Sequence, residues 1–224
     1  MNSTVKSSSQ EIPVKLSAGG VTLEGDLAVP AGSRGVVLFA HGSGSSLMSP
    51  RNRYVAQVLR DGGLATLLFD LLTANEERVD LRTGHLRFNI ELLAERLVGA
   101  TDWLKNNPAT QPLRIGYFGA STGAAAALMA ATERPQDVGA IVSRGGRPDL
   151  AGPALPRVKA PTLLIVGGLD DVVIQLNQDA LKKLRAEAKL EIVPGATHLF
   201  EEPGTLEVVA SLASGWFRRY LAPA

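Results

Sequence analysis

The chain has no cysteine among its 224 residues. That absence removes disulfides, thiolate metal sites and a thiol nucleophile together. Histidine is nearly as scarce, so any chemistry that needs an imidazole must draw on His41, His85 or His198. An excess of either charge is also missing: 23 Lys and Arg stand against 22 Asp and Glu, a net +1. So weak a field recommends neither nucleic acid nor an anionic membrane as partner, and small neutral or mildly charged molecules fit better. No stretch approaches the roughly 20 apolar residues of a membrane span. The first ten residues are polar and serine-rich, without the apolar core of a signal peptide, and are expected to form a disordered leader. A cytoplasmic location is the expectation, and the length suits one domain over 11–224. Monomer and homodimer are equally compatible with the sequence.

What is present is a succession of short apolar runs separated by helical patterns. Ile12 to Leu16 and Val21 to Val29 resemble a hairpin at a sheet edge, turning at Ala18-Gly19-Gly20. Gly35 to Ala40, Leu64 to Phe69, Leu113 to Phe118, Val138 to Ser143, Thr162 to Val166 and Lys189 to Val193 complete the strands. Most are apolar throughout, as strands buried between two helical layers must be. Helices are expected over Pro50 to Asp61, from about Phe88 to Leu104, from Ser121 to Arg134, over Ile174 to Glu187 and over Pro203 to Leu221. Asp70 to Thr83 shows no clear period and reads as a charged connection, long enough to help wall a pocket. Strands alternating with helices predict an α/β fold, a mostly parallel sheet of about eight strands covered on both faces.

Ligands of such sheets bind beyond the carboxyl ends of the strands. The residues standing there are His41-Gly42-Ser43, Asp70, Ser121, Arg144, Asp170 and His198. Ser121 lies in Gly119-Ala120-Ser121-Thr122-Gly123, where an apolar run meets an alanine-rich helix former. A serine on a sharp strand-to-helix turn is lifted above the sheet edge, and flanking glycines ease the bend and its φ angles. Its hydroxyl is a poor nucleophile unless a histidine takes the proton and a carboxylate orients that histidine. His198, in the turn after the last strand, is best placed as base; His41 is expected to shape its loop and His85 to be solvated. Asp170 is preferred to its neighbour Asp171 as the orienting acid, and Asp70 and Asp149 rank lower. Acyl transfer also needs two donors for a developing oxyanion. The N–H of Thr122 supplies one, and that of Ser43 or Gly44 the other.

The HGSGS loop, the GASTG turn, the VGGLDD turn and the GATHLF segment, in this order from Ile12 onward, resemble the α/β-hydrolase fold. The shortness of the chain, with no cap insertion, is similar to the small dienelactone-hydrolase-like branch. That resemblance implies Ser121, Asp170 and His198 as a triad, the Ser43 and Thr122 amides as an oxyanion hole, and neither cofactor nor metal. Dienelactone hydrolases proper carry cysteine where this chain has Ser121, so carboxylic-ester hydrolysis through an acyl-enzyme is the expected activity. Lactone, thioester or amide hydrolysis, acyl transfer to another acceptor, and a binding protein without catalysis are the alternatives. Substrate contacts are expected from Gly44, Leu72, Leu169 and Phe200, with Met48 a further apolar candidate. Arg144 and Arg147 could pair with a substrate carboxylate or be solvated at their turn.

Overall fold

A computed structural model describes residues 10–222, so the expected leader lies, apart from Gln10, outside the described residues. The eight expected strands form one sheet: β1 (Ile12–Ala18), β2 (Val21–Ala28), β3 (Gly35–Ala40), β4 (Ala65–Phe69), β5 (Arg114–Ala120), β6 (Val138–Arg144), β7 (Thr162–Gly167) and β8 (Ala188–Val193). Their spatial order is β1-β2-β4-β3-β5-β6-β7-β8. The β1–β2 and β2–β4 pairs are antiparallel, and every pair from β4 to β8 is parallel. The hairpin therefore sits at one edge, as its alternating pattern required. β3, β4, β6 and β7 are buried at every position, the physical correlate of their unbroken apolar runs.

Helices cover both faces. On one side α3 (Ile90–Asn106) and α4 (Thr122–Glu133) pack Leu93, Leu97, Leu104, Ala125, Ala126, Ala127 and Leu128 against β1, β3 and β5. On the other, α1 (Pro50–Asp61) and α6 (Thr205–Tyr220) bring Val55, Leu59, Val209 and Phe217 against Val37, Phe39 and Phe118. Among the described residues no helix is long and apolar enough to cross a membrane.

Two elements differ from the sequence expectation. The charged connection contains a helix, α2 (Ala74–Thr83). Its start is a capping box: Thr73 accepts from the Glu76 N–H, and Glu76 accepts from the Thr73 N–H. The Thr-x-x-Glu spacing signals such a start even where no apolar stripe follows. Apolar periodicity missed α2 because only Asp80 of its residues is buried. Gly84 ends it in the left-handed region, φ 67°. The second difference is α5 (Asp171–Leu181), which begins directly after Asp170 and stops short of Glu187. Beyond it the chain turns, and Leu184 packs on the core before β8 begins.

One buried polar pair ties α3 to the sheet beneath the site. The Thr101 hydroxyl donates to the Leu97 carbonyl at 2.8 Å and lies 2.5 Å from the Tyr117 hydroxyl. Both residues are fully buried, and burial holds the Tyr117 phenol well above its usual range. Thr101→Val should strand that phenol without an acceptor and cost about 1–3 kcal/mol in urea unfolding. Adding Tyr117→Phe should recover part of the loss, because no polar group is then left unpaired.

Candidate active site

The carboxyl ends of β3, β5, β6, β7 and β8 meet at one rim, and the geometry is tightest at Ser121. Its backbone stands at φ 50°, ψ −121°. This is costly for a residue with a Cβ and survives only where neighbours impose it. The Ser121 N–H donates to the Arg144 carbonyl at 3.3 Å, and its own carbonyl accepts from Arg147 N–H at 3.1 Å. The flanking glycines serve space, because the unusual φ falls on the serine itself. A Cβ on Gly123 would lie 2.2 Å from the Ala40 carbonyl oxygen, and one on Gly119 would lie 2.4 Å from Ala124 Cα.

His198 and Asp170 come together directly. His198 Nδ1 lies 2.6 Å from Asp170 Oδ2. A carboxylate can only accept, so Nδ1 carries the proton and Nε2 is left as the basic nitrogen. The two turns are tied by backbone as well: Leu169 N–H donates to the Ala196 carbonyl at 2.9 Å, and Gly168 N–H to Val193 at 2.8 Å. Gly167 allows this approach, since a Cβ there would lie 2.5 Å from the carbonyl oxygens of both Ala196 and Thr197. The imidazole packs on the turn that follows β6, where a Cβ on Gly145 would lie 3.6 Å from His198 Nδ1. Nucleophile-to-base bonds are often long without substrate, and no hydrogen bond from the Ser121 hydroxyl to His198 is present among the described residues.

The Ser43 hydroxyl lies 3.1 Å from that of Thr122, which brings the glycine-rich loop against the start of α4. Thr122 N–H is among the first N–H groups of α4, for which no intrahelical acceptor exists. Both residues line one cleft at this rim. Gly44 and Leu72 line it, together with Glu77, Asp80 and Leu81 of α2 and with Arg87. The α2 and Arg87 contacts were missed with α2 itself. Its capping box was the available signal.

The remaining candidates separate by location. Leu169 stands 65 % exposed beside the Asp170 turn, and Met48 lies outside the cleft against Arg53. Phe200 is 1 % and Arg144 6 % exposed, and neither lines the cleft. Arg147 is paired with Asp149 through two bonds of 2.9 and 2.7 Å. Asp70 accepts the Leu47 N–H at 2.7 Å and so shapes the loop. Asp171 is exposed at the start of α5, and His85 is exposed beside Thr83.

His41 is spent on structure. Its Nδ1 lies 3.0 Å from the Gly42 carbonyl, which can only accept, while Nε2 accepts the Leu71 N–H at 3.1 Å. Both ring nitrogens are thus engaged in the neutral form, and neither is free to act as a base. Burial lowers its pKa, against the Gly42 carbonyl and the charges of Asp70 and Glu77, which pull the other way.

A model of the dienelactone hydrolase family matches residues 23–220. The chain is 66 % identical to the crystal structure of a dienelactone hydrolase from Anabaena variabilis, with TM-score 0.94, covering 95 % of this chain and 99 % of that one. A serine hydrolase without a lid from Xanthomonas campestris shares the fold at 19 % identity and TM-score 0.76, covering 96 % of each chain. A curated Mycobacterium tuberculosis protein, provisionally named a phosphoribosyl transferase, is 59 % identical over 208 residues. The match takes in 93 % of this chain and 46 % of that protein, so the chain spans less than half the length of this curated relative.

The His41 geometry carries a pH signature. A histidine held neutral in the fold, with its pKa below the ordinary 6.5, stabilises fully above 6.5 and loses that contribution as pH falls toward the folded value. Urea unfolding between pH 7 and 5 should therefore show a shallower decline in stability for His41→Asn than for wild type. Equal slopes would show that His41 titrates as it does in the unfolded chain.

Proposed function

The chain belongs to the dienelactone hydrolase family, and from that premise we propose that it is a serine hydrolase cleaving carboxylic esters of small acyl substrates. The observation that carries the reading is the 2.6 Å bond between His198 and Asp170, on the same rim as a serine held on a strained backbone. In this reading Ser121 Oγ attacks the ester carbonyl carbon while its proton passes to His198 Nε2. Asp170 holds the imidazole in the required tautomer and stabilises the imidazolium. The oxyanion of the tetrahedral intermediate is received by the N–H groups of Ser43 and Thr122. Collapse breaks the ester C–O bond, and His198 returns the proton to the departing alkoxide. Water then attacks the acyl-enzyme by the same route and frees Ser121.

The substrate's place in this reading is the cleft that Ser43 and Thr122 line. Its polar rim at Glu77 and Arg87 and its apolar wall at Leu72 fit an acyl group with one polar end. Lactones are the second reading, favoured by the name of the Anabaena relative at 66 % identity. A cyclic ester opens by the same steps, except that the alkoxide stays tethered to the acyl chain. The phosphoribosyl transferase name describes a protein more than twice the matched length, and its activity is not carried over to this reading.

A fluorophosphonate probe should label wild type at Ser121 and leave Ser121→Ala unlabelled; equal labelling of the two would remove the nucleophile from the reading. Asp170→Asn should lower kcat on a p-nitrophenyl ester by roughly 10³–10⁴, the scale set by losing the correct tautomer. Asp171→Asn should stay within about threefold of wild type, as an exposed helix-end carboxylate permits. The reverse ranking would move the acid role by one residue. A panel of linear esters against lactones separates the two substrate readings.

A further inference from the structure

Arg144 breaks a rule that the rest of the core obeys. It ends β6 with its side chain 6 % exposed, yet among the described residues no carboxylate lies within ion-pair distance. Its single side-chain hydrogen bond is a long one, Nη2 to Asn52 Oδ1 at 3.3 Å, and Nε is buried with no partner. Burial and the neighbouring Arg51 bring its pKa down to about 10, so it is charged at neutral pH. A buried cation without a counter-ion is expensive. Where one local rule is broken with no packing gain, function is the usual reason.

Its contacts show what it could serve. The guanidinium lies 5.9 Å from the centroid of the Phe200 ring, within cation–π range. Phe200 is two residues past His198, 1 % exposed, and at φ 56°. With Ser121 it is one of two non-glycine residues in the left-handed region among the described residues. The other side of the same segment is held by Arg51, which bonds Glu201 at 2.9 Å. Through its backbone Arg144 also accepts the Ser121 N–H. The next residue, Gly145, lies against the His198 turn, where an added Cβ would come within 3.0 Å of the His198 carbonyl oxygen. One dipeptide therefore touches the serine turn through main chain and the histidine turn through both main and side chain.

Resting on the reading of Ser121, His198 and Asp170 given above, we propose that Arg144 is a positioning residue that sets the His198 turn over Ser121 through its side-chain contact with Phe200. The guanidinium, bonded to Asn52 of α1, holds the Phe200 ring and so keeps the left-handed backbone that aims the imidazole. Direct capture of a substrate anion is the rival role. It is disfavoured by the burial of Arg144 against Phe200 and by its absence from the residues that line the cleft.

The test uses Arg144→Met, Arg144→Lys and Phe200→Leu in the full chain, with kinetics on a neutral and an anionic p-nitrophenyl ester. Arg144→Met should lower kcat by roughly 10- to 100-fold, the scale of a small misplacement of a reacting group, with KM within about threefold. Its thermal midpoint should be unchanged or raised, since an unpaired buried charge has been removed. Phe200→Leu should match the kcat loss, Arg144→Lys should restore part of it, and the double variant should be no worse than either single one. Wild-type kcat with a lowered midpoint would reduce Arg144 to a structural residue. A KM increase confined to the anionic ester would make it a substrate receptor; either result overturns the proposal. A second readout needs no turnover: the downfield proton resonance of the His198–Asp170 bond should broaden or shift in Arg144→Met and in Phe200→Leu. An unchanged resonance in both variants overturns the positioning role even if the enzyme is active. A changed one supports it even if the ester reading falls.

Discussion

A serine held at φ 50°, ψ −121° does not keep that backbone by itself. Such a conformation costs on the order of 1–3 kcal/mol and must be imposed by what surrounds it. Here the surroundings are the central strands. Ala120 pairs with Arg144 of β6, which also pairs with Ile165 of β7, so the turn is clamped by its inner neighbours. Gly123 lies against the Ala40 carbonyl closely enough that only a glycine fits, which docks the start of α4 onto the end of β3. The parallel register from β3 to β8 then delivers the glycine-rich loop, the Asp170 turn and the His198 turn to the same rim. The site is a consequence of the sheet and of the register in which its parallel strands pair.

Two histidines show how the surroundings divide the chemistry. His41 is enclosed, with a carbonyl on one ring nitrogen and an N–H on the other, and burial favours its neutral form. His198 is 40 % exposed at its side chain and, among the described residues, bonded at one nitrogen only. The same side chain is therefore a strut in one place and a candidate base in the other. Arginine divides similarly: Arg147 is neutralised by Asp149, whereas Arg144 is buried without an acid and lies under the Phe200 ring.

Much of this was readable in the sequence because the strands announce themselves. Continuous apolar runs such as Gly35 to Ala40, short and bounded by turn residues, fit buried strands of a covered sheet. Once they are placed, the residues just beyond them become candidates without further assumption. That logic reached Ser121, Asp170 and His198, and the structure sets the last two in contact. It did not reach α2, whose residues face solvent and the cleft and so carry no apolar stripe; only its Thr73 and Glu76 cap marked it. Nor could it place Arg144 and Phe200. Which face of the rim a residue takes at a turn depends on backbone angles, and the left-handed φ of Phe200 has no signature in its side chain.

The most direct measurement of the central claim is a pre-steady-state reaction with a p-nitrophenyl ester, followed by acid quench and peptide mass analysis. A burst of about one p-nitrophenol per active site is expected, as ping-pong chemistry requires, with the acyl group recovered on the peptide that contains Ser121. Turnover without a burst and without acyl transfer to Ser121 after rapid quench, or an acyl group on any other residue, would contradict the account.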